Sequence, residues 1–186
     1  MPLIRETIVI TTDREGRAHI APLGLIAEGD DWIIAPFRPS STLDNLMAVP
    51  FATASHTDDV RVFAGCLTGR HDWPTVAAEE VPVPRLVGAL SHAELAVVET
   101  KDDAQRPHLR CRVVRLVTHT PFMGFNRAQA AVLEAAILVS RLHMLPRDKI
   151  EWEMAYLYTA VEKTAGPRER EAWDWLADKV RAHFQA

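Results

Sequence analysis

Apolar residues alternate with polar ones over the first third of the chain. RETIVITT (Arg5 to Thr12) is rich in β-branched residues and predicts a strand. DREG (Asp13 to Gly16) predicts a hairpin turn, with Asp and Gly where turns favour them. RAHIAPLGLIAEG returns as a second strand, and Pro22 inside it implies a sheet edge or a bulge. Asp30-Asp31 turns the chain again and WIIA forms a third strand. In SSTLDNLMAV the apolar positions Leu43, Leu46 and Met47 have helical spacing, and Ser40, Ser41 or Thr42 could cap the helix. FATASHT is a fourth strand.

The pattern then loosens. TDDVRVFAGCLTG suits a short helix or a strand equally well. Gly69 to Pro84 holds three prolines and predicts an irregular excursion. VGALSHAELAVVET and HLRCRVVRLVTHT are two longer strands around a polar KDDAQRP turn. About six short antiparallel strands with close connections sum to a barrel or a strongly bent sheet. From Asn126 the period becomes helical. NRAQAAVLEAAILVSRLHML is apolar over most of its circumference, with Asn126 as its N-cap. RDKIEWEMAYLYTAVEKTA is a second helix, with Gly166 in the C′ position, and Pro167 opens a third, PREREAWDWLADKVRAHF. The expected organisation is a β body over residues 1–123 and a helical segment over 124–186 packed on it. Trp173, Leu176 and Val180 share one helical face and are assigned to packing.

Composition changes this picture little. The 186 residues are 48% hydrophobic and 25% charged, which is ordinary for a globular domain. A net charge of −4 argues against a dedicated nucleic-acid binder. Cys66 and Cys111 form no metal or disulfide motif. The histidines lack metal-ligand spacing, so no metal is expected. Neither GxSxG nor GxGxxG occurs. The charged N-terminus does not resemble a signal peptide, and the longest apolar run is broken by Glu134, so a cytoplasmic protein without a membrane span is expected.

The candidate chemistry lies in PFRPSSTLDNL, Pro36 to Leu46. A helix N-terminus offers unpaired N–H groups and a partial positive charge, which hold anions. Ser40, Ser41 and Thr42 add hydroxyl donors there, and Arg38 adds a planar cation suited to phosphate. Capping alone accounts for one hydroxyl. A second helix start, GFNRA, places Asn126 and Arg127 together. An arginine in a first helical turn opposes the dipole, so Arg127 has either a ligand-facing role or a surface ion pair. Asp58-Asp59 is either a carboxylate pair or a cap.

HIAPLG, PFRPSSTLDNL, TDDVRVFA, GFNRAQAAVLEAAILVSRL and VEKTAGPREREAWDWL, in this order and spacing, make the chain resemble the DUF447 family over essentially its full length. That family falls within the FMN-binding split β-barrel superfamily, similar to pyridoxamine-phosphate oxidases and flavin reductases. The resemblance implies a mainly β fold with α, an FMN-binding split β-barrel followed by a C-terminal three-helix segment. It implies FMN as cofactor, with the phosphate at Ser40, Ser41, Thr42 and Asn45. The ring would run beside the strand that carries His19 and Pro22. Many such proteins place a lysine or arginine about two residues after the serine, where this chain has Thr42 and Leu43. The resemblance therefore leaves the positive charge to Arg38, to Arg127 or to the partner subunit. It also implies a homodimer with flavin sites at the subunit interface. The function expected is a flavin-dependent oxidoreductase acting on a small molecule. The alternatives are a non-catalytic flavin storage or sensor protein, and a structural dimer with an empty cleft.

Overall fold

The computed structural model describes residues 2–185 and divides into two compact units. The first comprises the chain through Thr57 together with Asp72–Pro121. The second comprises Asp58–His71 and the chain from Phe122 onward.

The first unit is a six-stranded closed antiparallel barrel. Its strands are β1 (Ile4–Thr12), β2 (Ala18–Glu28), β3 (Asp31–Ile34), β4 (Phe51–His56), β7 (Ser91–Lys101) and β8 (His108–Thr118). They close in the order β1-β2-β3-β8-β7-β4. A separate two-stranded ribbon, β5 (Thr75–Val76) and β6 (Arg85–Leu86), lies in the proline-rich excursion. Helix α1 (Ser41–Ala48) joins β3 to β4, and its Leu43 and Leu46 belong to the barrel core with Val9, Leu25, Ile34, Ala54, Leu95, Leu109 and Cys111.

The turn after β1 forms as its residues predict. Asp13 Oδ1 accepts from the N–H groups of Glu15 and Arg17, and Gly16 takes φ 80°, where a side chain would be strained. Strand β2 pairs with β1 over Ala18–Ile26, but β3 meets it only over Ile26–Glu28. On the other side, β3 meets β8 only over Leu109–Cys111. The front half of β2 therefore has a ladder edge without a strand partner, and Pro22 lies on it. The missing N–H of proline costs nothing at an edge.

The second unit is a helical cluster of α2 (Val60–Leu67), α3 (Arg127–Ser140), α4 (Arg147–Thr164) and α5 (Pro167–Gln185). The segment that suited helix or strand equally is helix α2, capped by the Asp59 side chain on Arg61 N–H. Its Val60 and Ala64 join Ala131, Val132, Ala135, Ile150, Trp173 and Leu176 in one apolar core. Pro167 opens α5 as expected, with its missing N–H at a position that has no helical acceptor. Gly166 does not end α4 in a left-handed conformation. A Cβ there would meet Glu169 Oε2 at 2.9 Å, and that carboxylate accepts from Gly166 N–H at 3.0 Å. The glycine is needed for this close approach rather than for a left-handed cap.

Candidate functional site

Strand β3 ends at Ile34, and the chain crosses Ala35–Pro39 before α1 begins. Ser40 is the N-cap, in extended conformation, and its Oγ accepts from Leu43 N–H at 3.3 Å. Asp44 N–H donates to the Ser40 carbonyl. These bonds take the third and fourth helical donors and leave those of Ser41 and Thr42 at the mouth of the helix. Ser41 is exposed, whereas Thr42 is buried. The three hydroxyls are thus distinct in role: one caps, one faces solvent and one lies inside.

Asn45 turns inward one helical turn later. Its Nδ2 donates to Thr11 Oγ1 at 3.0 Å, tying α1 to the end of β1. Thr11 stands directly across the ladder from His19. Asn45, Thr11 and His19 therefore share one corner of the barrel. Pro22 stands opposite Ile8, three residues along β2 from His19 and so on the other face of the strand. The structure brings His19 to the underside of α1 and leaves Pro22 on the open strand edge.

Arg38 is engaged by the turn between β7 and β8. Its Nη2 donates to Asp102 Oδ1 at 2.6 Å and its Nε to the Asp103 carbonyl at 3.2 Å. Its own N–H donates to the Gln105 carbonyl. A residue absent from the sequence reading joins it here. Arg106 donates from Nε to the Ala35 carbonyl at 2.7 Å, and its guanidinium lies 4.9 Å from the centre of the Phe37 ring. Asp103 shapes this turn by accepting from the N–H groups of Arg106 and Gln105, and these bonds lower its pKa. The loop before α1 thus carries Arg38 and touches Arg106, with Asp102 and Asp103 beside them. Only the polar character of the KDDAQRP turn hinted at Arg106. Its contact with Ala35 spans 71 residues and has no local signature.

Asn126 and Arg127 belong to the helical unit. Asn126 is the N-cap of α3, accepting from Ala128 and Gln129 N–H, while its Nδ2 donates to the Thr164 carbonyl at 3.1 Å. Arg127 is exposed on the first turn. Asp58-Asp59 resolves as a cap with an ion pair: Asp59 Oδ2 accepts from Arg61 Nη2 at 2.6 Å. Among the described residues no group of three or more His, Cys, Asp or Glu side chains could hold a metal, and no helix is long and apolar enough to cross a membrane.

The α1 mouth suits a phosphate. Two helical N–H groups and an exposed hydroxyl lie at it, and Arg38 and Arg106 are held at the loop that leads into it; helix donors of this kind favour an anion.

Comparisons with solved structures place the fold. An FMN-bound protein from Methanosarcina mazei, matching the DUF447 family, superposes with a TM-score of 0.84 at 18% identity over 96% of both chains. A protein with a split barrel domain from Shewanella frigidimarina reaches 0.55 at 15% identity, covering 61% of this chain and 66% of that one. The 2-nitrobenzoate 2-nitroreductase of Pseudomonas fluorescens reaches 0.54 at 18% identity, covering 64% of this chain and 66% of that one. Identities this low show a shared fold, the split β-barrel. Two family models also match directly: the N-terminal domain of a protein of unknown function (DUF447) over residues 5–120, and the corresponding C-terminal model over 126–178. Barrel, helical unit and family models together make this chain a member of the DUF447 family.

Proposed function

We propose that this protein binds FMN with the phosphate at the mouth of α1 and acts as a flavin-dependent oxidoreductase on a small molecule. The observation that carries the reading is the α1 mouth itself, with its unpaired Ser41 and Thr42 N–H groups, the exposed Ser41 hydroxyl and the flanking Arg38 and Arg106. The FMN in a family member of the same full-length fold supports it. So do neighbours of the same barrel fold that are redox enzymes, including the nitroreductase above.

In this reading Ser40 holds the helix start in place and Asn45 anchors the helix to β1, so the donors are fixed before the ligand arrives. Ser41 donates to the phosphate. Arg106, which stacks on Phe37, is poised to bind the anion, and Arg38 joins it by exchanging Asp102 for phosphate. His19 and the open edge at Pro22 border the ring. Asn126 and Arg127 lie in the helical unit, where the former fixes the start of α3 and the latter presents an exposed charge. FMN, when bound, would supply hydride or electron transfer through its ring. The protein residues would supply binding, orientation and exclusion of water. The assembly proposed is a homodimer with flavin sites at the subunit interface.

The test is the ligand that accompanies the gently purified protein. A yellow protein with flavin absorbance supports the cofactor; a colourless protein that fails to take up added FMN rejects it. Reduction by NADH or NADPH, followed by turnover on an acceptor, separates an oxidoreductase from a storage or sensor protein.

A further inference from the structure

Helix α4 has a face that the helical core does not use. Ile150, Met154 and Val161 are buried in that core, and Leu157 packs against it. At about 100° per residue, the opposite side of the helix carries Asp148, Trp152, Ala155, Tyr156, Thr159 and Lys163, all exposed. Trp152 is 69% exposed and Tyr156 is 70% exposed. Their rings stack on each other, with centroids 6.0 Å apart and planes at 7°. The pair presents one ordered aromatic surface to the outside. Tyr158, by contrast, lies on another side of the helix and packs on Trp173. Trp and Tyr are the residues in which protein interfaces concentrate their binding energy.

The charges on this face are arranged as well. Arg147 pairs with Glu151, and Lys149 with Glu153, along the helix itself. Among the described residues, Asp148 at one end of the stripe and Lys163 at the other make no ion pair. The stripe thus runs from acid through aromatic to base over about 22 Å. A second copy laid antiparallel brings base to acid. Laid parallel, it would set Asp148 against the partner's Asp148 and Lys163 against the partner's Lys163.

One antiparallel register pairs Asp148 with the partner's Lys163, and its two-fold axis passes between Ala155 and Tyr156. The same register faces Trp152 with the partner's Thr159, a large side chain against a small one. It also leaves Ala155 beside the axis, where a methyl group lets the two helices approach closely. Charge, size and symmetry therefore agree on a single alignment. An anionic membrane or a nucleic acid would call for a cationic stripe, and this one balances one acid against one base.

We propose that the Trp152–Tyr156 face of α4 is a self-association surface, through which two copies of this chain pair antiparallel about a two-fold axis. Each copy contributes the same patch, so the contact closes on itself and the Asp148–Lys163 pairing occurs twice. The two charges also suit the dipole of their own helix, acid near its N-terminus and base near its C-terminus. The experiment separates these roles.

Sedimentation velocity of the full chain over a range of concentrations reads the assembly. Trp152→Glu puts a charge at the centre of the contact and should halve the mass of the assembly. Asp148→Lys and Lys163→Asp each set like charges across the axis, and each should weaken association by at least about tenfold. The double variant, Asp148→Lys with Lys163→Asp, restores opposite charges across the axis and should recover the parent's mass, although both charges then oppose the helix dipole. If the two residues serve only their own helix, the double variant gains nothing in association. All four changes alter exposed side chains. Halving is the expected result whether or not the chain also pairs at its flavin sites, so the outcome does not rest on that reading. A parent that is monomeric at every concentration overturns the proposal. So does an unchanged mass in Trp152→Glu, or a double variant that associates no better than the single ones.

Discussion

Asn45 and Thr11 stand 34 residues apart in sequence, and a 3.0 Å hydrogen bond from Nδ2 to Oγ1 joins them inside the barrel. This contact fixes the direction of α1 and hence the aim of the donors at its N-terminus. Asn45→Ala leaves the buried Thr11 hydroxyl without its donor and should lower unfolding free energy by about 1–3 kcal/mol. Urea denaturation measures it. A variant as stable as the parent would show that α1 is held by Leu43 and Leu46 alone.

At the helix mouth the prediction concerns affinity. Ser41→Ala, Arg38→Ala and Arg106→Ala should each weaken FMN binding, the arginine changes by about 1.5–3 kcal/mol because their bonds are charge-assisted. Quenching of flavin fluorescence on titration reads this directly. If all three bind as the parent does, the phosphate lies elsewhere. If only Arg106→Ala weakens binding, Arg38 stays with Asp102 in the complex.

Asp59 offers a stability test in the helical unit. It caps α2 and pairs with Arg61, with Arg168 at 3.9 Å. Burial raises its pKa, but the Arg61 contacts outweigh this and leave it lowered. The sign follows from linkage: the stabilisation is present above the unfolded pKa and fades as pH falls through the depressed folded value. Asp59→Ala should cost about 0.5–2 kcal/mol near neutral pH. The difference from the parent should shrink in acid, as thermal unfolding at several pH values will show.

The two thiols should differ in reactivity. Cys111 lies in the barrel core, and burial pushes its pKa up to about 12. The thiolate is the nucleophile, so Cys111 should stay inert to a thiol reagent at mildly alkaline pH until denaturant is added. Cys66 is only partly buried. Peptide mapping after labelling should find Cys66 modified first. Labelling of Cys111 in the native protein would mean that the barrel opens locally.

Much of the fold was legible because its signals are local. Period-two alternation marked β1 to β4, and period-3.6 spacing marked α1 and α3 to α5. Capping chemistry placed Asn126 and narrowed the α1 cap to Ser40, Ser41 or Thr42, of which Ser40 serves, since a cap reaches only two or three residues along the chain. An edge or a bulge at Pro22 was legible for a similar reason, since a missing N–H excludes a regular central ladder, and strand pairing decided for the edge. The helix at Val60–Leu67 was not legible, because eight apolar-rich residues fit either period. Its burial against α3 and α5 decided it.

The candidate site divides in the same way. The hydroxyl run at a helix start, with an arginine before it, is written in consecutive residues, and so the donor-rich helix mouth could be read directly. Which arginine does what could not. Arg38 meets Asp102 across 64 residues, and Arg106 meets Ala35 across 71. Glu94 reaches the excursion, and His92 reaches His119, only once β7 and β8 are in register. The sequence determined the elements, their caps and the donor-rich helix mouth, because hydrogen bonds between near neighbours depend on residue type and spacing alone. The tertiary structure decided the charge partners, the open edge of β2 and the contacts of buried Glu94 and His92. Those depend on strand register and barrel closure, which are set by the packing of the whole core.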